Sequence, residues 1–205
     1  MSGEVGIIVQ ARMSSSRFPG KSLENIGGKP LIYYVLKRLE FTGLPVIVCT
    51  SDHTSDDPLC NYLQSQNFNY YRGSLDNVLD RYINASEEYE IERIVRVTGD
   101  NPLVDIDYLR QSLPLLERFD YVDGIYPEGL IKGTGFEFVN LSELKHIASD
   151  LEEDREHVTS WLRKNISRSE KRIQLSPNSI NKYKRDLFLT CDYPEDLELL
   201  KKLFQ

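Results

Sequence analysis

The sequence predicts an α/β fold with a mixed, mostly parallel sheet, and two observations carry the prediction. Val5, Ile7, Ile8 and Val9 form a nearly unbroken β-branched run, the pattern of a strand buried on both faces. Strand-like and helix-like segments then alternate through the first half of the chain, as right-handed βαβ crossovers require. With 205 residues, 40% hydrophobic and 28% charged, the chain can bury one sizeable core.

The elements follow in order. After the first strand, Pro30 suits the first turn of a helix bearing Leu31, Val35, Leu36 and Leu39 at helical spacing. Val46 to Thr50 reads as a second buried strand. Asp56 and Asp57 start a helix with Leu59, Tyr62 and Leu63, and Phe68 to Tyr71 reads as a short third strand. Val78 to Tyr89 reads as a helix and Ile94 to Val97 as a fourth strand, closed by the turn Gly99-Asp100-Asn101-Pro102. Beyond Tyr121 the rhythm loosens. Strands are expected at Tyr121 to Tyr126, Phe136 to Val139, Arg172 to Leu175 and Leu187 to Thr190. Helices are expected at Ser142 to Ile147, at Glu156 to Lys164 and from the Cys191-to-Asp196 segment to Phe204. No linker, repeat or low-complexity tract interrupts the chain, so residues 1–205 read as one domain, with a nucleotide-binding half (1–120) and an acceptor and oligomerisation half (121–205).

Charge narrows the function. A net charge of -7 argues against a broad nucleic-acid or anionic-membrane surface. Yet Ala11 to Arg38 carries six cations (Arg12, Arg17, Lys21, Lys29, Lys37, Arg38) against the single acid Glu24, which points to a small polyanion as partner. No apolar stretch reaches the roughly 20 residues of a membrane span and no leader-like start is seen, so a cytoplasmic protein is expected. Cys49, Cys60 and Cys191 are odd in number and lack metal-like spacing, which predicts buried, inert thiols.

Three segments carry candidate chemistry, each just beyond a predicted strand, where ligands of open α/β sheets sit. Ala11-Arg12-Met13-Ser14-Ser15-Ser16-Arg17-Phe18-Pro19-Gly20-Lys21 combines guanidinium forks, a lysine point charge and serine hydroxyls, donors suited to a triphosphate. Gly20-Lys21-Ser22 spells the end of a Walker P-loop, but Ser15 replaces the opening glycine and Gly27, Gly28 and Pro30 interrupt the helix that must follow. Asp100, in Thr98-Gly99-Asp100-Asn101-Pro102, offers a hard oxygen to Mg2+, against the plain reading of a turn former. Asp192 offers another, against the plain reading of a helix N-cap completed by Glu195. Together the two aspartates and the cationic loop have a joint meaning, a metal bridging protein carboxylates to nucleotide phosphates.

These motifs, with Leu23, Gly28-Lys29-Pro30-Leu31-Ile32 and Asp192-x-Pro194-Glu195-Asp196-Leu197, resemble the sugar cytidylyltransferases nearly end to end. Gly73-Ser74-x-Asp76-Asn77-Val78-Leu79-Asp80-Arg81-Tyr82 and Arg155-Glu156-His157-Val158-Thr159 resemble the branch typified by spore-coat polysaccharide biosynthesis protein F, relatives of the deoxy-manno-octulosonate cytidylyltransferases. The resemblance implies a Rossmann-like, glycosyltransferase-A-type nucleotidyltransferase fold, CTP and Mg2+ as ligands, and a homodimer. It implies that Arg12, Lys21 and Asp100 are catalytic, and that Asp100 and Asp192 hold the metal. It places Ala11, Arg12, Ser15, Ser16, Arg17, Lys21, Asn77, Arg81, Thr98 and Gly99 at the nucleotide. Gln10 and Met13 depart from the octulosonate pattern, so the acceptor of those enzymes does not carry over.

On the acceptor side, Glu137 and His157 are the candidates, beside a glycine-bearing stretch from Gly124 to Glu137 that reads as a binding loop or a plain hairpin. The expected reaction is transfer of CMP from CTP to an anionic or sugar-type acceptor with release of pyrophosphate, in surface polysaccharide precursor synthesis. The rivals are a metal-dependent glycosyltransferase using Asp105-Ile106-Asp107 and a non-catalytic nucleotide sensor.

Overall fold

The computed structural model describes residues 4–124, 131–147, 156–175 and 187–205. Within them a seven-stranded sheet runs in the order β3-β2-β1-β4-β6-β5-β7. Its strands are β1 (Glu4–Gln10), β2 (Val46–Ser51), β3 (Asn69–Gly73), β4 (Ile91–Thr98), β5 (Tyr121–Gly124), β6 (Phe136–Asn140) and β7 (Arg172–Gln174). All neighbouring pairs are parallel except those made by β6, which runs against β4 and β5. This is the mixed, mostly parallel sheet the sequence predicts.

Both faces are covered, which explains the continuous apolar runs. Ile7, Val9, Val48, Val95 and Val97 face one core together with α1 (Leu31–Glu40), α2 (Asp57–Ser65) and α4 (Ile106–Ser112). Ile8, Ile47, Cys49 and Ile94 face the other with α3 (Val78–Glu88), α5 (Leu141–Lys145) and α6 (Ser160–Lys164). The closing helix α7 (Pro194–Leu203) makes a third cluster, setting Leu197 and Leu200 on Ile26, Leu31 and Cys191. Leu31, Ile32, Val35 and Leu39 of α1 are each wholly buried, worth about 1.5–3 kcal/mol apiece.

Several expectations are corrected. Helix α4 goes unread in the sequence; Asp105 caps it by accepting from the Tyr108 N–H, and Ile106 and Leu109 bury its inner face. Leu187 to Thr190 is not a strand. It makes one bridge, Lys132 to Phe188, and Phe188 stays half exposed. The helix expected from Glu156 is interrupted, because Val158 takes a left-handed φ of 37°, and it resumes as α6. The remaining strands and helices shift by up to three residues at their ends. Ile125 and Tyr126, with the rest of 125–130 in the glycine-bearing stretch, and Arg155 lie outside the described residues.

Register decides what meets at the carboxyl edge of the sheet. β1 lies between β2 and β4, with Gln10 level with Cys49 on one side and Thr98 on the other. The segments after β1 and β4 therefore leave the sheet side by side. Gly99 makes this approach possible: its N–H donates to the Gln10 carbonyl at 2.8 Å, and a Cβ there would lie 2.8 Å from the Cβ of Ala11.

Candidate active site

The loop after β1 is folded on itself and anchored from below. The Gly20 N–H donates to the Met13 carbonyl at 2.8 Å, with Gly20 at a φ of 79°, a conformation that costs glycine little. Lys21–Leu23 is a single 3-10 turn, so no Walker helix follows. Asp56, wholly buried, accepts from the Met13 N–H at 2.7 Å, from the Ser51 N–H and the Thr50 hydroxyl at 2.9 Å, and from the Ser51 hydroxyl. Burial alone would raise its pKa; these donors outweigh burial and hold it below the ordinary aspartate value. Reading Asp56 as a helix start missed its part in fixing the loop.

The two aspartates, Asp100 just beyond β4 and Asp192 just before α7, meet at one lysine. Lys21 Nζ donates to Asp100 Oδ2 at 2.7 Å and to the Cys191 carbonyl at 2.8 Å, and lies 3.6 Å from Asp192 Oδ1. Arg17 Nη2 donates to the same Asp192 oxygen at 2.8 Å. A backbone bond from the Cys191 N–H to the Asp100 carbonyl, 2.9 Å, ties the two acidic segments together. Asp192 is not the helix cap. Tyr193 holds the N-cap position and Asp196, at N3, reaches back in a capping box, its Oδ2 accepting from the N–H groups of Asp192 and Tyr193, which leaves the Asp192 carboxylate turned to the cations.

These groups share a cleft of about 630 Å3. Ala11, Arg12, Ser15, Ser16, Arg17, Lys21, Thr98, Gly99, Asp100, Asp192 and His157 all line it. Across it, Arg12 Nη2 donates to Glu156 Oε1 at 3.0 Å. The described lining holds seven lysines and arginines against three carboxylates, so a chain of net charge -7 folds into a locally cationic cavity.

Three of the expected site residues stand elsewhere. Asn77 caps α3, accepting from the Asp80 N–H at 3.1 Å, and is not among the residues lining the cleft. Arg81 is 1% exposed, and all three of its guanidinium nitrogens are buried without a hydrogen-bond partner among the described residues. Burial lowers its pKa, and neighbouring Arg12 adds to that, against Cys49, Tyr82 and Asp56, which raise it. Glu137 is wholly buried beneath the cleft floor. The register sets it level with Arg96 on β4 and Asp123 on β5. It accepts from Arg96 Nη1 at 2.6 Å, Arg163 Nη2 at 2.8 Å, the Thr159 hydroxyl at 2.9 Å and the Tyr121 hydroxyl at 2.5 Å. Burial pushes its pKa up, and Arg96 and Arg163 bring it below the ordinary glutamate value. A carboxylate so enclosed cannot touch an acceptor; the cleft receives its partners Arg96 and Arg163 instead.

The second half of the lining was missed in the sequence. Gln10, Ser22, Arg96, Asn101, Lys132, Gly133, Arg163, Lys164 and Thr190 reach the cleft from five segments. Lys132-Gly133 sits in the glycine-bearing stretch and Arg163-Lys164 ends a basic helix, the two signals that could have found them. Asp105 and Asp107 do not line the cleft, and Asp105 is committed to capping α4, which removes the glycosyltransferase pair. The three cysteines are free and buried, as expected, and burial raises the Cys49 and Cys191 thiols to about 12.

Asp100 and Asp192 are hard oxygen donors brought to one cation, a donor set that suits a divalent ion completing its shell with phosphate and water. Among the described residues no group of three or more histidine, cysteine or acidic side chains forms a metal cage.

A family model for cytidylyltransferases matches residues 6–205. The spore coat polysaccharide biosynthesis protein SpsF of Bacillus subtilis (strain 168) is 31% identical, covering 98% of this chain and 87% of its own. A cytidylyltransferase structure from Leptospira borgpetersenii superposes with a TM-score of 0.90 at 30% identity, over 98% of this chain and 86% of that one. A CMP:2-keto-3-deoxy-manno-octonic acid synthetase solved with CTP shares the fold, with a TM-score of 0.68 at 17% identity over 98% of each chain.

Proposed function

The chain belongs to the cytidylyltransferase family, and on that premise we propose that its cleft binds CTP with Mg2+ and transfers CMP to an anionic or sugar-type acceptor in surface polysaccharide precursor synthesis. The observation that carries this reading is Lys21 reaching Asp100 and Asp192 at once, which joins the cationic loop and both carboxylates in one place.

In this reading Arg12, Arg17 and Lys21 donate to the triphosphate, the guanidinium groups as forks and the ammonium as a point charge. Ala11, Ser15, Ser16, Thr98 and Gly99 complete the nucleotide wall, and the side chain of Asn77 acts through α3. The acceptor oxygen attacks the α-phosphorus in line with the departing pyrophosphate. One P–O bond forms, another breaks, and negative charge gathers on the leaving group beside Lys21 and Arg12. A divalent ion on Asp100 and Asp192 supplies neutralisation of phosphate charge. A phosphate or carboxylate acceptor needs no base, whereas a sugar hydroxyl must lose a proton, and His157 is the cleft-lining group able to take it. Glu137 is held ionised beneath the floor and has no part in that transfer.

The test is incubation with each of the four nucleoside triphosphates, Mg2+ and a panel of sugar, sugar-acid and sugar-phosphate acceptors, followed by pyrophosphate release and mass spectrometry. A product heavier than the acceptor by a cytidylyl group, formed from CTP alone, is expected. CTP binding without turnover on any acceptor would favour the sensor instead. The same proposal has the protein working in the cytoplasm as a homodimer, away from membranes and nucleic acid. Light scattering at twice the 23.7 kDa chain mass checks the dimer. No helix among the described residues is long and apolar enough to cross a membrane.

A further inference from the structure

Each cation of the β1 loop already holds a carboxylate in the protein by itself: Arg12 holds Glu156, Arg17 holds Asp192, and Lys21 holds Asp100 and Asp192. The Lys21 and Asp192 side chains are only 12% exposed and that of Asp100 20%, so water screens their attraction less than it would on an open surface. The groups that would grip a triphosphate and those that would grip a divalent ion thus neutralise one another.

We propose that Lys21 is a resident cation which keeps Asp100 and Asp192 together and closed to a divalent ion, so that the cleft accepts the nucleotide and its metal as a pair rather than either alone. The inference rests on the reading of these residues given above and adds to it an exchange of partners. Free metal must displace an ammonium that is hydrogen-bonded at 2.7 Å. Free triphosphate must draw Lys21 and Arg17 away from carboxylates that are left uncompensated. When both arrive, the carboxylates pass to the divalent ion and Lys21, Arg17 and Arg12 pass to phosphate oxygens, so no charge is stranded. By linkage each partner strengthens the other equally.

A consequence follows that a phosphate-binding role for Lys21 does not give: deleting the lysine should improve metal binding. Calorimetric titration of the full chain, stripped of metal, with Mn2+ and no nucleotide should show Lys21→Met binding at least about tenfold tighter than the natural protein. The gain should vanish in the Lys21→Met/Asp100→Asn double variant. Lys21→Gln serves as a second variant should methionine unfold the chain. A parallel melting series gives an independent reading, with a larger Mn2+-induced rise in Tm for Lys21→Met than for the natural protein. Unchanged or weaker Mn2+ affinity in a folded lysine variant overturns the inference, as does a gain that survives Asp100→Asn. Neither readout uses an acceptor, so failure to find a transfer product would leave this result standing, and the reverse.

Discussion

Lys21 is the residue on which chemistry and structure separate most cleanly. Lys21→Ala should lower kcat about a hundredfold or more, with a much smaller loss of melting temperature, measured by pyrophosphate release beside circular dichroism. Glu137 should behave in the opposite sense. Glu137→Gln leaves Arg96 and Arg163 facing a neutral amide in a buried site, a loss of about 3–5 kcal/mol by denaturant titration. The folded-state pKa of Glu137 is depressed, so its stabilisation is fully present above the unfolded value near 4.3 and is lost as pH falls through the folded value. The stability gap between the two proteins should therefore narrow below about pH 4. Arg81 is the third case, a buried cation whose guanidinium lacks hydrogen-bond partners among the described residues. If desolvation is uncompensated, Arg81→Met should stabilise the chain by about 1–4 kcal/mol, and a stability loss would show that the guanidinium is compensated in another way.

Elements bring these residues together through their ends rather than their lengths. β1 and β4 deliver the cationic loop and Asp100 side by side because they are parallel neighbours in register. Asp192 comes from a third segment, set by the seating of α7 on Ile26 and Leu31 and by close approach of the 189–190 backbone to Gly133. Gly133 has a φ of 97°, and a Cβ there would press on the Thr190 nitrogen and the Leu189 carbonyl carbon. Gly133→Ala should push that segment outward, costing about 1–3 kcal/mol of strain and carrying Asp192 away from Lys21. Turnover should fall more than tenfold while strand β1 keeps its slow amide exchange. Equal turnover would show that the approach does not set the site.

At the scale of the whole molecule, the acidic chain concentrates cationic side chains in a cavity lined from segments distant in sequence. A ligand that ties those segments together stabilises only the folded state. CTP with Mg2+ at about a hundredfold over its dissociation constant should add about 2.7 kcal/mol, a rise of roughly 5–10 °C in Tm for a chain of this size. UTP, ATP and GTP at the same concentration should give less. A uniform rise for all four nucleotides would mean that the cavity reads phosphate and metal but not base.

The fold was legible because burial on both faces leaves a continuous apolar imprint, and strands alternate with helices at spacings that chain geometry forces. The cationic loop and Asp100 were legible because polar residues just beyond parallel neighbouring strands must emerge at one edge, whereas Asp192 follows no strand and is brought there by the seating of α7. The sequence could not tell that Glu137 is enclosed, since its neighbours Arg96, Asp123 and Arg163 are paired by register and helix placement far along the chain. Nor could it show that Lys21 sits between two carboxylates 79 and 171 residues away, or that the capping box of α7 is made by Tyr193 and Asp196 rather than by Asp192 and Glu195. Local pattern fixes which residues reach the surface of an element. Which charges then face one another is settled only when the elements pack, because electrostatic partners are chosen by distance in space.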